Sequence, residues 1–412
     1  MQTKFYLMDS FDVIIVGGGP AGGQTARNLT KAGHKVLLVE RYASFEDNNF
    51  SSAGMTLEPL TEFNLPDSVV GAYWKNLVIQ CTQDEYRWKS DDVKGVVLDF
   101  GRLRQFLADE SVKLGGKVLM GHRYVNKEVV DDGVIVDFVN SENDETVQYK
   151  AKLVVDATGP VRKVMYDNKD DQPTMVLGSG LEYLIKVDQQ TYDKYKDDLV
   201  FFLGHKWALK GYSWVFPMEN RILKVGAGKV HIEAKDQDKT NKTTKKLTEM
   251  VIRDYLKTDN FELIDVHGGT LRYSPSIKDT FYKDNVVAVG DAVSTVNPLG
   301  GEGIRYAMQS ADLASQHIDE FLKTGQNTFD KYRKTWRKKN LLKWQICEVS
   351  SKRVYIKYTD EQIENRMKFY HQNASFDEII NALFYFRFKN LMKRIFQVYQ
   401  VKLQYAFSGK KF

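Results

Sequence analysis

The sequence predicts an α/β fold, in which a Rossmann-like domain is interleaved with a β-sheet domain and followed by a helical C-terminal region. Three observations lead to this prediction. The chain begins with a strand, a glycine-rich turn, a helix and a second strand, which together form a βαβ unit. Residues 175 to 271 carry strand-like apolar runs. From residue 330 onward the chain is helical in character, basic and aromatic.

The composition is that of a folded protein with more than one domain. The chain has 412 residues, 42% of them hydrophobic and 12% aromatic, which is too long for one small module and too apolar for a disordered chain. No apolar run reaches the roughly eighteen residues that a transmembrane helix needs. Two cysteines, Cys81 and Cys347, cannot form a disulfide framework, so a reducing cytoplasm is the expected location.

The charge of the chain is concentrated at its C-terminal end. Residues 331–412 contain 19 Lys and Arg against six Asp and Glu, a net charge of +13, whereas the rest of the chain carries −8. The same segment contains 17 aromatic residues. Two interpretations stay open: a helical cap whose apolar face packs on the body, or a peripheral contact with an anionic membrane surface. We do not expect nucleic-acid binding, because no recognised module accompanies the basic residues.

The first βαβ unit carries the pattern of a dinucleotide-binding site. An apolar run at residues 11–16 predicts a buried strand, a helix is expected over about 21–32, and a second strand over 35–39. The turn between the first strand and the helix reads Gly-Gly-Gly-Pro-Ala-Gly and matches G-x-G-x-x-G. The candidate residues of this unit are Gly17, Gly19, Pro20, Ala21, Gly22, Glu40 and Arg41.

Each glycine of the turn has a physical role in such a site. Gly17 permits the tight turn, Gly19 lets a pyrophosphate approach the backbone, and Gly22 allows the helix to pack closely on the strand. The N-terminus of the helix adds backbone N–H groups and a favourable dipole for an anion. Glu40, at the end of the second strand, is in position to accept hydrogen bonds from a ribose diol.

Two distant motifs repeat the arrangement of a buried strand followed by a turn of small residues. The first is Val-Val-Asp-Ala-Thr-Gly at 154–159, and the second is Val-Ala-Val-Gly-Asp-Ala at 287–292. The second is followed by Asn-Pro-Leu-Gly-Gly-Glu-Gly at 297–303 and by a predicted helix. In this order and spacing, the three motifs resemble the glutathione-reductase-type FAD flavoproteins of the p-hydroxybenzoate hydroxylase structural class.

This resemblance implies FAD as the cofactor and assigns roles to the two distant motifs. Asp291 would hold the ribityl or pyrophosphate region, and the loop 297–303 would approach the N1–O2 edge of the flavin. The cofactor-binding candidates that it adds are Ala157, Gly159, Gly290, Asp291, Pro298, Gly300, Gly301 and Gly303.

The motif positions also predict the domain organisation. The FAD-binding domain is expected to be discontinuous, comprising residues 1–60, 95–170 and 275–330. Residues 61–94 and 171–274 are expected to form the substrate-binding β-sheet domain, and residues 331–412 the basic, aromatic C-terminal region.

One departure from the pattern of this class concerns an arginine that meets the FAD phosphates. The class usually has it just before the helix after the second segment, where this sequence has Phe100. Arg102 and Arg104 lie close by and are both candidates for that charge, although either could also be a solvated helical arginine.

A strand with aromatic residues on one face indicates the substrate. In Gly-Tyr-Ser-Trp-Val-Phe-Pro at 211–217, alternation places Tyr212, Trp214 and Phe216 on the same face, either as a core strip or as the wall of an apolar pocket. The motif Y-x-W-x-F-P resembles the substrate-cavity motif of the geranylgeranyl reductase family, which reduces C=C bonds in polyprenyl chains of lipids and pigment precursors.

The family resemblance implies a reaction and its partners. Reduced FAD would give hydride from N5 to one alkene carbon, and a proton from water or from a hydroxyl such as that of Tyr212 would complete the saturation. The substrate would be an isoprenoid or another apolar molecule. NADPH or reduced ferredoxin would be the electron donor.

Other uses of the same FAD motifs stay open. A monooxygenase or hydroxylase of an apolar or aromatic substrate would share them, as would a lycopene-cyclase-like non-redox flavoenzyme or a flavin-binding membrane adaptor. A halogenase would also need a lysine between flavin and substrate, for which Lys75 is the candidate. The seven histidines and two cysteines show no metal-ligand spacing, so we expect no metal site.

The segment 45–54 departs from the family because it lacks the cysteines that several members carry there. Its polar residues could line the flavin edge or form a plain loop. They are Asn48, Asn49, Ser51 and Ser52.

Overall fold

A computed structural model describes residues 8–231 and 243–387, together with residues 396 and 400. Within this part of the chain there are eighteen strands in three sheets and nine α-helices. The strands are β1 (Ser10–Val16), β2 (Val36–Val39), β3 (Gly54–Thr56), β4 (Val70–Trp74), β5 (Asn76–Gln80), β6 (Glu85–Trp88), β7 (Gly95–Leu98), β8 (Lys117–Leu119), β9 (His122–Val130), β10 (Gly133–Asn140), β11 (Thr146–Asp156), β12 (Val176–Val187), β13 (Asp198–Phe202), β14 (Gly211–Pro217), β15 (Ile222–His231), β16 (Phe261–Tyr273), β17 (Tyr282–Lys283) and β18 (Val286–Ala288). The helices are α1 (Pro20–Lys31), α2 (Glu58–Glu62), α3 (Phe100–Lys113), α4 (Gln189–Tyr195), α5 (Thr244–Val251), α6 (Ile304–Thr324), α7 (Phe329–Lys352), α8 (Asp360–Asn373) and α9 (Phe376–Leu383).

The first sheet has a parallel centre and confirms the predicted α/β class. Its strands run in the order β17-β18-β11-β1-β2-β8, and β1 pairs in parallel with both β2 and β11. The long β11 also pairs with β10 near its start, where β9 and β10 add an antiparallel extension. Residues 13–16 of β1 and all of β2 are buried, which explains their continuous apolar runs. Helix α1 starts at Pro20, whose missing N–H costs nothing at a first helical position.

The second sheet has seven strands in the order β16-β12-β15-β14-β13-β5-β6. All its pairings are antiparallel except that of β13 with β5. Strands β5 and β6, at residues 76–88, therefore lie in one sheet with strands from residues 176–273. A small third sheet has the order β3-β7-β4, and in the chain β3 and β4 precede β5 while β7 follows β6.

The described part of the C-terminal region packs on the body as a helical cap. Trp336 and Trp344 of α7 are 1% and 0% exposed, and they join the core of the first sheet. The Tyr332 hydroxyl donates to the Ala288 carbonyl at 3.1 Å. Helices α8 and α9 contribute Ile363, Ile379 and other apolar residues to a core under the second sheet. Many aromatic residues of this segment are therefore core residues.

Some predicted segments lie outside the described residues. These are residues 1–7 of the predicted FAD-binding domain, residues 232–242 of the predicted substrate-binding domain, and, apart from 396 and 400, residues 388–412 of the C-terminal region. In the part of the chain that is described, no helix combines the length and apolarity needed to cross a membrane.

Candidate active site

A cavity of about 970 Å³ lies where the carboxyl ends of β1, β2, β11 and β18 face the second sheet. It collects residues from all the predicted motifs. The predicted residues that line it are Gly17, Gly19, Pro20, Ala21, Glu40, Arg41, Arg104, Ala157, Gly159, Tyr212, Trp214, Gly290, Asp291, Pro298, Gly301 and Gly303. Gly22, Arg102, Phe216 and Gly300 do not line it. The volume is at the upper end of the range of about 300–1,000 Å³ typical of ligand pockets.

The glycine turn after β1 is shaped by close backbone contacts. Gly17 has φ +109°, and a Cβ there would lie 2.4 Å from the carbonyl oxygen of Ala157. A Cβ at Gly22 would lie 1.9 Å from the carbonyl oxygen of Gly17, so Gly22 acts inside the turn rather than at the cavity wall. A Cβ at Gly19 would meet nothing within 4 Å, which leaves open space beside the backbone at the helix N-terminus. This is the space that a pyrophosphate requires.

Glu40 is buried at the end of β2, with both carboxylate oxygens engaged. Gly18 N donates to its Oε2 at 2.7 Å, and Tyr42 N donates to its Oε1 at 3.1 Å. Each carboxylate oxygen can accept more than one hydrogen bond, so Glu40 can still accept from a ligand hydroxyl. The neighbouring Arg41 is exposed, stacks 4.5 Å above the Tyr42 ring and donates to its hydroxyl at 2.7 Å.

The two candidate arginines of α3 have different environments. Arg104 is 5% exposed, lies 4.6 Å over the Phe100 ring and donates to the Phe45 carbonyl. Burial lowers the pKa of its guanidinium. Its Nε has no hydrogen-bond partner among the described residues, which leaves a buried donor at the cavity wall. Arg102 instead pairs with Asp99 and Glu219 away from the cavity.

The turn after β11 is organised by Asp156, which sequence reasoning did not single out as a site residue. One carboxylate oxygen accepts from Thr158 N at 3.0 Å and Thr158 Oγ1 at 2.6 Å. The other accepts from the backbone N–H groups of Val164 and Met165. These four bonds fix the backbone of Ala157 and Gly159 at the cavity wall. The position of an aspartate at the end of a buried strand was the available signal.

Asp291 and residues of the loop 297–303 line the same cavity. Thr295 Oγ1 and Val296 N donate to Asp291 Oδ1 at 2.9 and 3.0 Å, while burial raises the pKa of its carboxyl group. Asn297 holds the loop, because its Oδ1 accepts from Leu299 N at 2.8 Å and from Gly300 N at 3.0 Å. Thr295 and Val296 both donate to Oδ1 of Asp291, so its second carboxylate oxygen, Oδ2, can accept a hydrogen bond from a ligand.

Two tyrosine hydroxyls hold the carbonyl groups of this loop. Tyr212 donates to the Gly300 carbonyl at 2.8 Å, and Tyr355 donates to the Leu299 carbonyl at 2.6 Å. Burial raises the pKa of Tyr212 to about 12, and a more distant carboxylate, Glu182, adds to the shift. Tyr212 thus connects β14 of the second sheet to the loop. Tyr355, which sequence reasoning missed, follows α7 and lines the cavity.

Trp214 is the central aromatic residue of the β14 face. Its Nε1 donates to Glu182 Oε2 at 2.7 Å, and Glu182 is fully buried. Burial raises the pKa of Glu182, although the charge of Lys224 acts in the opposite direction. Burial also lowers the pKa of Lys224, whose Nζ donates to the Ser51 carbonyl at 2.7 Å. Phe216 lies further along the strand and packs 5.1 Å from the Phe201 ring, in the core.

The segment before β3 contributes to the cavity. Asn48, Ser51 and Ser52 line it, and Asn49 does not. Phe50, which was not predicted, also lines it. Lys75, the candidate lysine of a halogenase, is not at the cavity and lies 4.0 Å from Asp197.

Comparisons with known proteins agree with this geometry. Residues 10–340 match the FAD binding domain family. The chain is 31% identical to the digeranylgeranylglycerophospholipid reductase of Haloferax volcanii over 335 residues, which cover 77% of each protein.

The chain belongs to the geranylgeranyl reductase family of FAD-dependent oxidoreductases. The crystal structure of a geranylgeranyl bacteriochlorophyll reductase-like protein from Thermoplasma acidophilum has the same fold, with a TM-score of 0.79 and 22% identity, covering 94% of this chain and 100% of that one. A p-nitrophenol 4-monooxygenase from Pseudomonas putida also has this fold, with a TM-score of 0.69 and 16% identity over 91% of this chain and 97% of that one. The fold alone therefore does not separate reductases from monooxygenases.

The residues around the cavity fit the FAD of this family. Gly19, with open space beside it, Arg104, with its unused Nε, and Asp291, with its available oxygen, all line the same cavity. They match a group that combines a pyrophosphate, ribose hydroxyls and a flavin ring.

A first prediction concerns Tyr212. In the flavin-loaded reductase, Tyr212→Phe removes the donor of the Gly300 carbonyl and should lower the free energy of unfolding by about 1 kcal/mol. The difference should be constant between about pH 6 and pH 9, because the raised pKa keeps the hydroxyl protonated there. Urea unfolding followed by circular dichroism measures it.

The control is Tyr73→Phe, which removes a hydroxyl that donates to Asp67 at 3.0 Å from a 41% exposed ring. It should change the free energy of unfolding by less than about 0.5 kcal/mol. An equal effect of both substitutions would contradict the assigned role of Tyr212.

Proposed function

We propose that this chain reduces C=C bonds of a polyprenyl lipid or pigment precursor with hydride from reduced FAD. The observation that carries this proposal is the apolar wall of Tyr212 and Trp214, which faces the same cavity as the nucleotide motifs. An extended hydrocarbon has no polar groups to satisfy and fits such a wall. The names of the curated relatives and of the Thermoplasma acidophilum neighbour give independent support.

In this proposal the residues at the strand ends of the first sheet would hold the FAD. Gly17, Gly19, Pro20 and Ala21 would receive the pyrophosphate at the start of α1, and Gly22 would let the helix pack closely on the turn. Arg104 adds positive charge for the phosphates, and Glu40 accepts from the ribose. Ala157, Gly159, Gly290 and Asp291 would hold the middle of the cofactor, and the loop that contains Pro298, Gly300, Gly301 and Gly303 would approach the ring.

Reduced FAD would supply the hydride, while the protein holds the substrate in position and excludes water from around it. Trp214 and Tyr212 present apolar surface that holds the alkene and excludes water. The Tyr212 hydroxyl proton is directed at the Gly300 carbonyl, and its pKa of about 12 disfavours release. These two facts argue against Tyr212 as the source of the proton at the second alkene carbon.

We also propose the domain division that the sequence suggested. Residues 1–60, 95–170 and 275–330 would hold the cofactor, and residues 61–94 and 171–274 would hold the substrate. The pairing of β5 with β13 supports this division, because it joins the two separated segments of the proposed substrate domain in one sheet.

A membrane contact through residues 331–412 is part of the proposal. Along α7, Leu342 and Val349 are 70% and 51% exposed, and they share a stripe with the exposed Lys338. Apolar and basic residues on one face suit the headgroup layer of an anionic membrane, which would deliver a lipid-borne substrate.

The reaction is tested with the purified flavoprotein, reduced under anaerobic conditions and mixed with geranylgeranyl compounds. We expect products heavier by about 2 Da for each bond reduced, detected by mass spectrometry. NADPH and reduced ferredoxin, the candidate electron donors, are supplied in parallel reactions. In a parallel reaction exposed to oxygen, a product heavier by about 16 Da would instead support a monooxygenase.

Cofactor binding is tested with the two arginines of α3. Arg104→Ala should weaken FAD binding by at least about tenfold, because it removes a buried charged donor at the cavity wall. Arg102→Ala, two positions away and paired with Glu219, is the matched control and should retain the affinity of the wild type. Titration of the apoprotein with FAD, followed by flavin fluorescence, measures both. Equal losses would exclude the proposed role of Arg104.

The membrane contact is tested by vesicle flotation. The wild type should float with anionic vesicles at low salt and not with neutral ones. Lys338→Gln should lower the partition coefficient about fivefold, the effect of one surface charge. Lys31→Gln, at an exposed lysine on α1, serves as the control. Equal binding to anionic and neutral vesicles would remove this part of the proposal.

A further inference from the structure

A row of three glycines crosses the second sheet at the cavity. Gly228 of β15 is directly opposite Gly180 of β12, and Gly180 is directly opposite Gly269 of β16. Paired residues of neighbouring antiparallel strands point to the same face, and Tyr212 of β14 continues this row because it pairs with Gly228. All four residues line the cavity. We refer to Gly228, Gly180 and Gly269 as the glycine row.

The glycine row forms a trough without side chains. Trp214 borders it on one side, because a Cβ at Gly228 would lie 3.6 Å from the Trp214 ring. The neighbouring row on the same face has one glycine, Gly226, and carries the side chains of Trp214, Glu182 and His267. Glycine is unfavourable within strands, where it gives up side-chain packing and backbone entropy. Three glycines in register thus leave space for a ligand or side chain that lies flat on the sheet.

An apolar group of the chain already lies on part of this trough. A Cβ at Gly180 would lie 3.2 Å from Phe50 Cζ, and a Cβ at Gly269 would lie 2.6 Å from Phe50 Cδ1. The Phe50 ring therefore rests on Gly180 and Gly269, at the end of the row away from Tyr212. The ring is half-buried and lines the cavity.

The backbone around Phe50 is held on both sides. Lys224 donates to the Ser51 carbonyl at 2.7 Å, and Arg104 donates to the Phe45 carbonyl. Phe50 N donates to the Asn48 carbonyl at 2.8 Å. The ring can therefore change its rotamer while the loop that carries it stays in place.

We propose that Phe50 is the end wall of a hydrocarbon trough over the glycine row, and that it sets the length of the apolar chain that the enzyme accepts. This inference rests on the proposed function. A chain that passes Tyr212 and Trp214 continues along Gly228 toward Gly180, where the phenyl ring stops it. A larger residue at position 50 shortens the trough, and a smaller one lengthens it.

The experiment compares geraniol with geranylgeraniol in wild type, Phe50→Ala and Phe50→Trp, all loaded with FAD. The ratio of kcat/KM for the long chain to that for the short chain should rise about tenfold in Phe50→Ala and fall about tenfold in Phe50→Trp. Phe106→Ala, at a half-buried phenylalanine of α3 outside the cavity, should leave the ratio within about twofold of wild type.

Binding to the oxidised holoprotein, followed by the change in flavin absorbance, gives a second readout that needs no turnover. The ratio of the two dissociation constants should move in the same order as the kinetic ratio. If wild type binds both alcohols with the expected order among the variants but reduces neither, the proposed function fails and the trough stands. If wild type reduces both and the ratios are the same in all variants, the proposed function stands and the role of Phe50 is wrong. Absence of binding of either chain overturns the role of Phe50 as well.

Discussion

The close approach of three strand ends is the constraint on which the rest of the site depends. The turn after β1 lies against the turn after β11, with the position of a Gly17 Cβ only 2.4 Å from the Ala157 carbonyl. Gly290, after β18, lies close to Ala21, since a Cβ there would be 2.7 Å from the Ala21 Cβ. Side chains at these glycines would push the strands apart. Their absence lets α1 start where the three carboxyl ends meet, and this produces a crevice at the end of the sheet.

The second sheet completes that crevice because a cross-strand row made mostly of glycines lies next to a row with bulky side chains. Tyr212 and the glycine row form one line across four strands, and Trp214, Gly226, Glu182 and His267 form the next. The indole lies flat over Gly226, where a Cβ would be 2.3 Å from the ring. The buried Glu182 fixes the ring by accepting its N–H. The wall is therefore apolar at its surface and hydrogen-bonded beneath it, which holds the indole in one orientation.

The first βαβ unit could be predicted closely from sequence, because its strands are buried on both faces and its turn needs glycine. The choice between Arg102 and Arg104 could not, since residues two apart on a helix point about 200° apart and only packing decides which one faces the cavity. Alternation correctly gives Tyr212, Trp214 and Phe216 one face. It does not say where along the strand the cavity ends. The glycine row could not be predicted from the sequence either, because it depends on the register between strands that are distant in sequence.

The C-terminal region shows why composition alone left two interpretations. Its described helices reach the loop after β18 at several points: Trp344 donates to the Ser294 carbonyl at 3.2 Å, and Asn297 donates to Cys347 Sγ at 3.2 Å. Tyr355 donates to the Leu299 carbonyl, and Arg305, at the start of α6, donates to the Phe384 carbonyl. The aromatic residues of this region thus hold the loop that the proposal assigns to the flavin ring, while the exposed stripe of α7 faces outward. The buried face of α7 thus belongs to the cap, and the proposed membrane contact concerns only the exposed stripe on the other face of the same helix.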